Sequence, residues 1–145
     1  MTQLEALKKI AERDGGLLRP QAVVDEARSP RSPLHKCFTW DDGEAARLYR
    51  LDQAQHLIRK FHVMTDVDGK PCRAPVFISL SADRNSATGE NPYRQADAVT
   101  GNRNLLAIAE ADALEQLEGV RSRYTYLKSL SDVWDAIGKH AKAKR

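Results

Sequence analysis

An α+β fold dominated by helices is what this sequence predicts, and three observations predict it. Residues 44–60, EAARLYRLDQAQHLIRK, run without a helix breaker. The segments FHVMTDV and PCRAPVFISL flank the turn triplet DGK, which is the composition of a β-hairpin. Leu106, Ala113, Leu117, Val120, Tyr124 and Leu127 then keep the alternating spacing of a heptad seam.

Each element follows from local chemistry. Leu4, Leu7, Ile10 and Ala11 recur at helical spacing, and Gly15–Gly16 stop that first helix. Pro20 suits a first helical position, and AVVDEA continues from it until Pro30 forces the chain out of α geometry. Asp41 and Glu44 have capping-box spacing at the head of the third helix, with Trp40 as a staple. Ala45, Ala46, Leu48 and Tyr49 lie on one side of that helix. Leu51, Ala54, Leu57, Ile58 and Phe61 lie roughly opposite, so two neighbours are expected, one for each half. Pro71 and Pro75 mark the second hairpin strand as an edge. Three helices followed by a hairpin is the order of a winged helix. The expected layout is therefore a winged-helix-like domain over residues 1–81.

Residues 82–102, ADRNSATGENPYRQADAVTGN, are polar and read as a loop or linker with one helical turn at YRQADAV. Residues 103–145 form the C-terminal helical region, a helical hairpin or coiled coil. Ser129 or Ser131 caps its last helix, and the basic tail Lys139, Lys142, Lys144 and Arg145 ends it.

Composition narrows the function classes. The chain has 145 residues, of which 41% are hydrophobic and 30% charged, enough for a packed core. Its net charge of +3 is spread thinly along the sequence, so nucleic-acid binding is permitted and not demanded. No apolar run approaches the roughly 18 residues that a membrane span needs. The N-terminus has no apolar signal region. The expectation is a cytoplasmic protein with no membrane partner.

The stretch SPRSPLHKCFTWDD, residues 29–42, concentrates the residues that could carry chemistry. His35, Cys37, His56, His62 and Cys72 suffice for zinc by count, but no CxxC or HxxxH spacing organises them. No metal and no cofactor is expected. Cys37 lacks a flanking oxyanion loop, and Asp41 and Asp42 have an adequate role as helix caps, so no catalytic residue is assigned and no enzyme is expected. The structural reading accounts for more. Pro30 and Pro33 stiffen a crossing, Leu34, Phe38 and Trp40 send anchors into the core, and His35, Lys36 and Thr39 face out.

The run SPLHKCFTWDDGEAARLYRLDQAQHLIRKFHV resembles a segment of small, mostly uncharacterised proteins of tailed phages and prophages. Pro33, Leu34, His35, Phe38, Trp40, Asp41, Asp42, Ala45, Ala46, Tyr49, Arg50, Gln53, Ala54, Leu57, Ile58 and Arg59 occupy the pattern. The resemblance implies a phage or prophage origin, hence a bacterial host cell, and no particular biochemistry.

Two functions remain as expectations. The leading one is duplex DNA binding, with the third helix in a major groove through Gln53, Gln55, His56, Arg59 and Lys60, and the hairpin touching backbone through Lys70 and Arg73. The same residues also fit a plain solvated helix face, and Asp52, Asp66 and Asp68 dilute their field. Arg47 and Arg50 face elsewhere and are expected to pair with Asp41, Asp42 or Glu44. The alternative is a phage assembly or host-interaction protein that docks proteins and touches no nucleic acid. In either case Ala113, Leu117, Val120, Tyr124 and Leu127 form a stripe longer than one returning helix covers, so a homodimer through it is expected.

Overall fold

The computed structural model describes residues 1–40 and 43–143. The expected caps Asp41 and Asp42, and the tail residues Lys144 and Arg145, lie outside the described residues. The chain is mainly helical with small two-stranded sheets, and it divides into two compact units, Met1–Gly101 and Asn102–Arg145.

Helix α1, Gln3–Arg13, starts at a full capping box. The Glu5 N–H donates to Thr2 Oγ1 at 3.2 Å, and the Thr2 N–H donates to Glu5 Oε2 at 2.7 Å. These bonds satisfy two backbone donors that a helix start otherwise leaves open. Gly15 and Gly16, at φ of 65° and 90°, turn the chain out of α1 in the left-handed region that favours glycine. Helix α2, Pro20–Ala27, has proline at its first position and buries Val23, Val24 and Ala27.

The crossing from α2 to α3 is held by its own side chains. Leu34 is fully buried and Phe38 nearly so. His35 was expected to face out, but it is half-buried, with Nδ1 2.8 Å from the Ala27 carbonyl oxygen. The Trp40 indole stacks on that imidazole at 5.1 Å and donates from Nε1 to the His35 carbonyl at 3.0 Å. Trp40 is half-buried rather than a core residue, because it lies over the crossing and not beneath it. Gln3 reaches from α1 to donate to Cys37 Sγ at 3.1 Å. The stretch acts as a clasp between α1, α2 and α3.

Helix α3, Glu44–Lys60, has the predicted length of 17 residues. Its second half packs on α2 and buries Ala54, Leu57 and Ile58 in the core that α1 and α2 also line. Its first half corrects the expectation of a second neighbour: Leu48 and Tyr49 are 56% and 55% exposed. Strands β1, His62–Val67, and β2, Lys70–Pro75, form an antiparallel hairpin with Val67 opposite Lys70. Asp68 and Gly69, at φ of 54° and 77°, make the left-handed two-residue turn that matches strand twist. Asp66 Oδ1 accepts the Gly69 N–H at 2.8 Å and secures it. Nearly every residue of both strands is exposed.

Residues 82–101 are not a linker. Strand β3, Phe77–Ile78, pairs with β4, Arg94–Gln95, and β4 leads into helix α4, Ala96–Thr100. Leu18 and Tyr93 exchange two backbone bonds, at 2.6 and 2.8 Å. Tyr93 and Val99 are buried. The segment's few apolar residues carry it back onto the first unit, and its polar composition describes only its outer surface.

In the second unit Asn102 caps α5, Arg103–Tyr124, by accepting the N–H groups of Asn104 and Leu105. Helix α6, Ser131–Ala143, turns back onto α5 and buries Trp134 and Ile137. Trp134 Nε1 donates to the Leu127 carbonyl at 3.2 Å and fixes the return.

Candidate functional site

Local bonding occupies several of the predicted DNA contacts. The Gln53 side chain bonds Thr39 twice, accepting its N–H at 3.2 Å and donating to its hydroxyl at 3.3 Å. It clasps α3 to the preceding crossing. Gln55 is half-buried, and its amide oxygen accepts from Arg59 Nη2 at 3.1 Å. His56 Nδ1 sits 2.9 Å from the Asp52 carbonyl oxygen and 3.4 Å from its carboxylate. Lys60 Nζ donates to Gln3 Oε1 at 3.4 Å and lies over the Phe61 ring.

His56, Arg59 and Lys60 are nevertheless exposed, as are Lys70 and Arg73 on the hairpin. Of these, Lys70 is set beside the hairpin turn and not beside α3. Lys70 stands at the far end of six-residue strands, which at about 3.3 Å per residue places the tip roughly 20 Å from the end of α3. Asp66, Asp68 and Met64 share that ribbon with the two cations.

Arg47 and Arg50 divide. Arg47 forks onto Glu44 at 2.9 and 3.2 Å, and its hydrogen bond holds the Glu44 carboxyl below its ordinary value. Arg50 is buried, donates to the Thr39 carbonyl at 3.4 Å and stacks over Trp40 with 5.6 Å to the ring centre. Its place is inside the clasp.

Beside these polar groups, α3 and the hairpin expose large apolar side chains. Leu48, Tyr49, Val63, Met64 and Val67 each have half or more of their surface open. Periodicity assigned Leu48 and Tyr49 to a buried face, because it shows which side of a helix is apolar but not whether anything packs there. In the second unit Ala113, Leu117, Val120, Tyr124 and Leu127 are all exposed, so α6 leaves the predicted stripe open.

A cleft of about 330 Å³ opens between Pro20, Gln21, Arg47, Leu51, Gln55 and the loop 88–91. Its charged groups already have partners, Arg47 in Glu44 and Glu90 in Arg19, the latter at 3.0 Å. Cys37 and Cys72 are free thiols. Among the described residues no three His, Cys, Asp or Glu side chains cluster as a metal-binding set. No helix among them is long and apolar enough to cross a membrane. Comparison with protein-family models, with curated proteins and with solved structures finds no match to this chain.

Proposed function

We propose that this is a non-enzymatic phage or prophage protein that docks other proteins, through the exposed apolar residues of α3 and the hairpin and through the open stripe of α5. The observation that carries this reading is the exposure of Leu48 and Tyr49 in the first half of a well-formed helix. Large apolar side chains grouped on a rigid element with nothing over them mark interaction sites in soluble chains, and tyrosine is among the residues that dominate such contacts. The α5 stripe takes either a partner or the homodimer that its spacing suggests. The test is affinity capture with the wild type beside Leu48→Glu/Tyr49→Glu. The expected result is one defined protein held by the wild type, identified by mass spectrometry and lost in the variant. Retention by both refutes this face.

DNA binding is the second reading, favoured by the exposure of Arg59, Lys60, Lys70 and Arg73 in a helix-then-hairpin order that suits a winged helix. Each phosphate neutralised releases counterions, giving a log–log salt slope of about −0.9 per contact. Fluorescence anisotropy on duplex DNA over a salt series measures it. In this reading Arg59→Ala/Lys60→Ala makes the slope shallower by about one or two units, and Lys70→Ala gives a smaller loss. Absence of binding at about 50 mM salt and tens of micromolar protein removes this reading and leaves docking.

A further inference from the structure

The two edges of the hairpin are unlike. When a two-residue turn closes a hairpin, the flanking pair exchanges hydrogen bonds and alternate pairs do so thereafter. Val67 and Lys70 flank this turn, and Thr65–Cys72 and Val63–Ala74 follow in step. The bond from the Val76 N–H to the Phe61 carbonyl, 3.1 Å, keeps the same parity. The backbone groups at 62, 64 and 66 on β1, and at 71, 73 and 75 on β2, therefore point outward.

Two of those β2 positions are Pro71 and Pro75, which have no N–H to offer a further strand. The β2 edge is closed. The outward positions of β1 are His62, Met64 and Asp66, with neither proline nor lysine to guard them. Among the described residues β1 pairs with β2 alone, and all six of its residues are exposed.

We propose that a second copy of this chain pairs antiparallel with β1 about a two-fold axis at Met64. Only registers that oppose even positions to even positions engage the outward groups. The register centred on Met64 engages all three: His62 faces the partner's Asp66, Met64 faces the partner's Met64, and Asp66 faces the partner's His62. An imidazole meets a carboxylate twice on one face of the sheet, which is a favourable cross-strand pair. About six backbone bonds form. A two-stranded ribbon alone is marginal in water, and four strands are not. Pro71 and Pro75 on both outer strands then stop growth at two copies. This pairing goes beyond the docking of other proteins and does not depend on it.

Sedimentation equilibrium on the full chain, wild type beside Met64→Pro, tests the pairing. Proline at 64 takes an outward position like those of Pro71 and Pro75, so the hairpin keeps its ladder while the central donor of the free edge is lost. A wild-type dimer is expected, with association weakened roughly tenfold or more by Met64→Pro. A covalent readout accompanies it, in a Cys37→Ser/Cys72→Ser background. Met64→Cys should crosslink on oxidation, since directly opposed residues lie about 5.5 Å apart, within disulfide reach. Thr65→Cys, set diagonally from its counterpart, should not. A wild type that stays monomeric into the high micromolar range overturns the pairing. So does a dimer that Met64→Pro leaves intact with no crosslink at 64. Should Met64→Pro unfold, the cysteine variants decide alone.

Discussion

The Arg94 guanidinium grips both carboxylate oxygens of Asp83, at 2.6 and 2.8 Å, with little of either side chain exposed. The pair bridges the two ends of the 83–94 loop and raises the Arg94 pKa above its ordinary value through that hydrogen bond. Removing one partner leaves the other charge part-buried without its fork. Asp83→Asn should cost about 1–3 kcal/mol of stability, read as a lower denaturation midpoint in urea.

Trp40 covers the clasp from outside, with His35 beneath it and the Arg50 guanidinium against its ring. Truncation of a half-buried aromatic costs less than truncation of a core one. Trp40→Ala should destabilise by about 2 kcal/mol, below the 3–5 kcal/mol typical of a fully buried ring. Urea melts of both proteins check the difference.

A chain ending at Gly101 retains β1 and every contact of the first unit, but loses α5 and its stripe. It should still fold cooperatively and still dimerise by light scattering. Monomers would place the self-contact on α5. A chain ending at Ser81 should fail to fold, since it lacks Tyr93, Arg94 and Val99.

Glu5 is fully exposed, yet the backbone N–H of Thr2 holds its carboxyl below the ordinary value. A depressed folded value means that the capping box contributes above the unfolded carboxylate range. The contribution is lost as pH falls through the depressed value. An NMR titration of the Glu5 carboxyl should therefore show an acid-shifted midpoint, and Thr2→Ala, which removes the hydroxyl but keeps the N–H of residue 2, should return it only part of the way.

Helices were legible because breakers and apolar spacing are local. Pro20, Gly15–Gly16 and the unbroken run 44–60 set their ends nearly to the residue, as Asp68–Gly69 set the hairpin turn. The Thr2–Glu5 capping box was equally present in the sequence, as T-x-x-E before an apolar repeat. The return of residues 82–101 was hidden for a physical reason. The segment's strand, β4, has two residues, is held by Phe77–Ile78 and the neighbouring Leu18–Tyr93 bridge, and carries no periodicity of its own. The candidate contacts suffered similarly: a glutamine on a polar helix face looks free until Thr39 is found beside it.

The bond pair between Leu18 and Tyr93 also sets an order of events for the nascent chain. Closing a loop that long costs entropy before the contact returns anything. During synthesis α1, α2 and α3 emerge well before the strand that completes their unit, and the hairpin emerges with them. Throughout that interval the free edge of β1 is open while the core of its unit is unfinished. Pro71 and Pro75 are already in place on the adjacent strand, so the half-made unit meets its neighbours on a polysome with one of its two ribbon edges closed.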